Sequence, residues 1–222
     1  MTERLATLRE ILEIPALEQN LTQAGITQLR LVPHGDLHRL PLHSLFTAPF
    51  TISHLPSVQV GLTLRQPPFW PITPQTSLLS IEEPTNADQA PLVFAEIESA
   101  LVTQGFTQPT RLAADDATEA RVAAALETGA TLVHFTGHGF FNDRQPRQSA
   151  LALAGADQLT VEIICNLALG GCGLVTLAAC ETAVTGTETI QADYVGLASA
   201  FLKAGASAVL STLWTVESVS NA

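Results

Sequence analysis

Two runs of this chain are largely apolar, and each stops at a reactive side chain. Leu-Val-His-Phe-Thr, residues 132–136, breaks at Gly137-His138-Gly139, and Leu-Val-Thr-Leu-Ala-Ala, residues 174–179, stops at Cys180. A strand that is apolar throughout must be covered on both faces, so such runs belong inside a mostly parallel sheet flanked by helices. In an open sheet of that kind, the edge formed by the strands' C-terminal ends is where sites are built. A histidine and a cysteine at the ends of two neighbouring strands can share a proton. His138 and Cys180 are therefore the leading candidates for a cysteine-nucleophile site.

The rest of the chain supports that architecture. Residues 3–12 place Leu5, Leu8, Ile11 and Leu12 at helical spacing, and a second short helix follows Pro15 and ends near Gly25. Residues 28–33 predict a strand, 51–55 another and 58–64 a helix or turn. Four prolines within 65–76 make that stretch a loop. Residues 77–81 form a short buried strand, and 82–91, polar with two prolines, a further loop. Pro91 at a first helical position leads a helix over 92–104, with Val93, Ile97, Ala100 and Leu101 on one face. Asp116 and Glu119 suggest a capping box opening a helix over 117–127.

Beyond His138, residues 140–149 are polar and proline-interrupted, suited to a lid or substrate wall, and 151–153 can form a short strand. Thr160 can cap a helix running to Leu167. A helix over 192–203, stopped by Gly205, leads to a last buried strand at 208–213. Strands alternate with helices for most of the length, the signature of an α/β fold. The apolar strand and Trp214 are followed by only eight residues, where a covering helix is expected, so the sequence reads as one domain, residues 1–222, cut short at its C-terminal end.

Composition excludes several functions. The 222 residues are 46% hydrophobic and 14% charged, which describes a buried globular core and not a disordered chain. A formal net charge of −11 argues against a nucleic-acid partner, which needs a basic face. No apolar run reaches the ~18 residues of a membrane span. The start, Met1-Thr-Glu-Arg, is charged and unlike a signal peptide. Three cysteines in neither zinc-site nor disulfide spacing fit a reducing, cytoplasmic setting.

A thiol attacks only as thiolate, and a nearby imidazole favours that form by pairing with it. The backbone N–H groups of Gly139 and Cys180 are candidates to face a tetrahedral oxyanion. In the loop and helix that follow, Glu188 and Asp193 are candidates to contact a basic substrate side chain. Each residue also has a plainer reading. A cysteine after an apolar strand is often only a small buried residue, and a histidine there a hydrogen-bonded structural group. His134, inside its strand, reads as core, and Cys165 and Cys172 read as structural. His34, His38 and His43 are irregularly spaced with no suitable carboxylate or thiolate beside them, so no metal site is assigned, and no motif calls for a cofactor. The absence of G-x-x-x-x-G-K-[ST] argues against a nucleotide-binding domain, since Gly170-Gly171-Cys172-Gly173 precedes a strand instead of opening a helix.

Taken in order, these segments resemble the CHAT domain, a caspase-like module related to separase and other caspase-fold cysteine peptidases. The resemblance begins with Leu31-Val-Pro-His-Gly-Asp-Leu-His-Arg-Leu-Pro-Leu-His-Ser-Leu45 and continues through Leu55-Pro-Ser-Val58 and Phe94-Ala-Glu-Ile97. Ala117-Thr-Glu-Ala120, leading into Val133-His-Phe-Thr-Gly-His-Gly139, is similar to the segment ending in the family's histidine. Leu159-Thr-Val-Glu-Ile163 and Leu177-Ala-Ala-Cys-Glu-Thr182 are similar to the segment around its cysteine. The block after it resembles residues 194–206 and Ser211-Thr-Leu-Trp-Thr-Val216.

The resemblance implies a three-layer caspase-like sandwich with about six mostly parallel strands. It implies an endopeptidase with a Cys–His dyad acting on a protein or peptide, often joined to tetratricopeptide or other helical repeats in bacterial regulatory proteins. Some relatives cleave after basic residues, which would give Asp193 a place in the specificity pocket. The alternative, from a different class, is a catalytically silent interaction module of the same fold.

Overall fold

A computed structural model describes residues 3–34, 37–38, 40–64, 71–86, 89–92, 94–140, 142, 144–179 and 193–211, with 193–195 described by backbone alone. The chain divides into two compact units, Met1–Thr63 and Leu64–Ala222.

In the first unit, helices α1 (Glu3–Ile11) and α2 (Ile14–Gln23) precede strand β1 (Gln28–Leu31), which pairs in parallel with β2 (Thr51–His54), and α3 (Val58–Thr63) follows. Its polar anchor is Glu18, buried on α2, which accepts from the Arg9 guanidinium and from the backbone N–H groups of Thr47 and Ala48. The Arg9 bond, opposed by burial and aided by the two N–H donors, holds the Glu18 carboxyl down at about 2.

The second unit runs β3 (Leu78–Glu82), α4 (Ala95–Thr103), β4 (Thr110–Ala113), α5 (Glu119–Glu127), β5 (Leu132–Gly137), β6 (Gly139–Phe140), β7 (Ala150–Ala152), β8 (Gln158–Thr160), α6 (Val161–Cys165), β9 (Leu174–Ala179), α7 (Asp193–Ala204) and β10 (Ala208–Ser211). Among the described residues, five strands form one parallel sheet in the order β10-β9-β5-β3-β4. β5, the strand leading to His138, lies at its centre. A small antiparallel sheet, β6-β7-β8, stands beyond the end of β5.

The two faces of the parallel sheet differ. Leu79 and Ile81 of β3, Val133 and Phe135 of β5, and Val175 and Leu177 of β9 form one face, packed into a core with Val122, Leu126, Ile164, Leu197 and Phe201. That burial is the main term holding the unit together, at about 25 cal/mol per Å² of apolar surface. The opposite face is mixed: Leu78, Leu132 and Leu174 at one end, then Ser80, Glu82, His134, Thr136 and Thr176. α4 covers this face with its small side, Ala95, Ser99 and Thr103. The stripe expected from the sequence to unite Ile97 and Leu101 does exist, but it faces outward, at 57% and 65% exposure.

Local signals were partly displaced. α5 is capped by Thr118, which accepts from Arg121 N–H, and not by Asp116, because Ala114–Asp116 takes its own 3-10 turn. α4 begins at Ala95, several residues after Pro91. Thr160 caps α6 as expected, accepting from Ile163 N–H at 3.1 Å. Gly205 ends α7 with φ of 114°, and a Cβ there would lie 3.0 Å from Gly170 N, so any other residue is strained.

Candidate functional site

β5 and β9 are neighbours in parallel register, with Gly137 opposite Ala179. These are the residues immediately before His138 and Cys180, and both strands end there, at the C-terminal edge of the sheet. Cys180 itself, and Glu188, lie outside the described residues. Asp193 opens α7, with its side chain outside them.

His138 is 5% exposed. Its Nε2 lies 2.8 Å from the carbonyl oxygen of Ala90. A carbonyl only accepts, so Nε2 carries the hydrogen and donates, and in the neutral ring the lone pair falls on Nδ1. The His138 carbonyl in turn accepts from Ala152 N–H at 2.8 Å, tying the chain to β7 as it leaves the sheet. With that bond in place, Gly139 and its partner Leu151 form the non-hydrogen-bonded pair of the β6–β7 ladder, so the Gly139 N–H points away from β7. A Cβ on Gly139 would stand 3.7 Å from that of Ala179, which sets Gly139 against the end of β9.

Gly137 relieves a close approach. A Cβ there would meet Phe135 Cζ at 2.8 Å and Pro84 Cδ at 3.2 Å. Pro84 belongs to the segment after β3, which crosses to the end of β5. Its bend is at Glu83, a non-glycine residue with φ of 37°, whose N–H donates to the Thr136 carbonyl at 2.7 Å. Such a backbone costs about 1–3 kcal/mol and persists only where its surroundings hold it. The Glu83 carboxylate accepts from Leu92 N–H, two residues past Ala90. Neither Glu83 nor the Ala90 carbonyl was singled out from sequence. A backbone oxygen leaves no side-chain signal, and Pro91 had suggested a helix start where the chain instead turns to the histidine.

His134 is 6% exposed and sits mid-strand, as its pattern predicts. Nδ1 is 2.7 Å from the Thr176 hydroxyl and Nε2 2.8 Å from that of Thr136, with Glu98 farther off at 3.7 Å. Burial pushes its pKa below the ordinary range, against the opposing pull of Glu82, so the ring is neutral and the Glu98 contact is not an ion pair at neutral pH. Glu82 is engaged elsewhere. Burial pushes its carboxyl up, but both branches of the Arg111 fork, at 2.8 and 2.6 Å, together with the Arg111 charge and Ser80, bring it below the usual range.

The other cysteines and histidines are accounted for separately. Burial pushes the Cys172 thiol up to about 11, which suits an inert structural residue. Cys165 is half-buried on α6. In the first unit the His43 and His54 rings meet edge to face at 5.4 Å. Burial, with His43 and His38 nearby, lowers the His54 pKa, and burial with His34 lowers that of His38. Among the described residues no three His, Cys, Asp or Glu side chains are grouped to hold a metal ion. No helix among them is long and apolar enough to cross a membrane.

No curated protein matches the chain. Solved structures do. The crystal structure of gingipain R, described as an Arg-specific cysteine proteinase, superimposes with a TM-score of 0.52 at 14% identity, covering 90% of this chain and 52% of that one. The complex of the pro- and mature domains of the Porphyromonas gingivalis enzyme gives 0.56 at 15% identity, covering 90% and 53%. The chain thus spans about half the length of each, and identities this low establish the fold alone. The CHAT domain itself matches over residues 2–222. With a parallel sheet flanked by helices and a family match along almost its whole length, the chain belongs to the CHAT domain family and has the caspase-like fold.

Proposed function

We propose that the chain is a cysteine endopeptidase that cuts a protein or peptide substrate with His138 and Cys180 as its dyad. The observation that carries this is the register of Gly137 with Ala179, which ends the two strands side by side immediately before those two residues. His138 Nδ1 takes the Cys180 thiol proton, and the sulfur attacks the scissile carbonyl carbon. The Gly139 and Cys180 N–H groups receive the oxyanion, and the imidazolium returns its proton to the leaving amine nitrogen. A thioester remains. Water, deprotonated by the same Nδ1, then attacks it and releases the acid and the thiol. The Ala90 carbonyl supplies the orienting role that a third side chain plays in other triads.

Glu188 and Asp193 are proposed to receive a basic side chain next to the cut. Arginine specificity in the similarly folded gingipain R supports a substrate of that class. A regulatory role in a bacterial cytoplasm, with recruitment through helical repeats, is part of the same proposal.

The test is alkylation by iodoacetamide at graded pH, with the modified cysteine mapped by mass spectrometry. Cys180 alone should react well below pH 8, and His138→Ala should slow it about 10²-fold or more, the usual worth of a lost base. Equal, slow reaction of all three cysteines with ordinary thiol pH dependence would remove the nucleophile and favour the silent interaction module.

A further inference from the structure

We propose that Glu83 is a positioning residue for His138. By holding Leu92 N–H, its carboxylate closes the segment after β3 so that the Ala90 carbonyl meets the Nε2–H of the imidazole. The inference rests on His138 being the base of the proposed dyad.

The coupling from Leu92 back to Ala90 is short and stiff. Pro91 between them has a fixed φ and no N–H, and a residue before proline is biased toward extended backbone. Once Leu92 N–H is fixed, little freedom remains in the direction of the Ala90 carbonyl. The other end of the segment is equally constrained. Glu83 N–H is bonded to Thr136 of β5 at 2.7 Å, and Gly155 N–H to the Thr85 carbonyl at 2.7 Å. Asn86 Nδ2 reaches the Leu153 carbonyl at 3.5 Å. Glu83 therefore joins the strand that carries His138 to the carbonyl that orients its ring. A left-handed backbone at glutamate, where glycine would sit without strain, is consistent with the side chain being needed. Removing the carboxylate frees Leu92, lets the Ala90 carbonyl swing, and releases the choice of nitrogen that bears the hydrogen.

The experiment reads that choice directly. Full-length chain labelled with 15N-histidine is examined by long-range 1H–15N NMR, which separates the two neutral tautomers. His138 is assigned by its loss in His138→Ala. Read in a Cys180→Ala background, where no thiolate keeps the ring charged, the Nε2–H form should exceed the other by about tenfold, as one net hydrogen bond allows. Glu83→Gly permits the φ of 37° without the carboxylate and should lower the share of the Nε2–H form at His138 below that of the parent chain. Glu83→Gln, whose amide oxygen can still accept, should retain most of the preference. The parent ratio in a folded Glu83→Gly overturns the proposal. If that variant does not fold, Pro91→Ala decides, because it loosens only the link from Leu92 to Ala90. An unchanged ratio there is equally fatal. The readout needs no reaction at Cys180. A tautomer shift with an unreactive Cys180 would leave Glu83's role standing and sink the peptidase reading, and the reverse pattern would do the opposite.

Discussion

In the middle of β5, the His134 ring is gripped on both nitrogens by threonine hydroxyls, one from its own strand and one from β9. At the end of the strand, four residues on, His138 is gripped on Nε2 by a backbone carbonyl delivered from outside the sheet. Both rings are almost fully buried. The difference is the source of the restraint. His134 is satisfied by groups that the sheet register brings to it, so it belongs to stability. His138 takes one of its restraints from a loop outside the sheet, the carbonyl of Ala90.

The comparison can be broken most forcefully at His134. His134→Ala removes a buried ring and strands the Thr136 hydroxyl, a loss of about 2–4 kcal/mol by urea unfolding. It should leave the His138 tautomer ratio unchanged. A disturbed ratio would mean that mid-sheet and edge are one network and not two. His138→Ala should cost less stability than His134→Ala.

Gly137 sits on the boundary between the two regions, and Gly137→Ala should disturb both. The added Cβ meets the buried Phe135 ring on one side and Pro84 on the other. A shift of either costs about 1–3 kcal/mol, the usual penalty for overpacking. Displacing Pro84 would also move the loop that begins at Glu83, so the His138 tautomer ratio should change together with the unfolding midpoint. A stability loss with an unmoved ratio would show that Phe135 yields alone.

The same contrast explains what could be read in the sequence. β3, β5 and β9 were legible because each is largely apolar, interrupted only by Ser80, Glu82, His134, Thr136 and Thr176, and the candidate site was legible only as the two residues that follow the ends of β5 and β9. β4 was not, because on the sheet edge only Leu112 is buried and no run forms. β8 was missed for a similar reason, three residues with an exposed Gln158 at its start. The spacing of Ile97 and Leu101 predicts a helix face, but periodicity does not say which side of α4 meets the sheet. Least legible was the loop at Glu83 and Ala90. Its work is done by a carbonyl oxygen and a bent backbone, and residue types record neither.

The smallest predicted effect is a slope in stability with pH, and it sharpens the assignment of His134 to the sheet. Burial lowers its folded pKa below 6.5, so below that pH the unfolded chain binds the proton more readily than the folded one. Stability contributed by the neutral ring is therefore fully present above pH 6.5 and declines as pH falls below it. The groups facing the ring are the hydroxyls of Thr136 and Thr176, with the carboxylates of Glu82 and Glu98 beyond them. Glu98's own pKa is raised by burial, which weakens it as a counter-charge on acidification. His38 and His54 titrate in the same direction in the first unit, so the informative quantity is the difference between wild type and His134→Gln in urea midpoints from pH 7.5 to 5.5. The wild type should lose more stability over that range. Equal slopes would mean that His134 accepts its proton in the folded state, with Glu98 close enough to stabilise it, and the mid-sheet histidine would then be a charged group and no longer the neutral counterpart of His138.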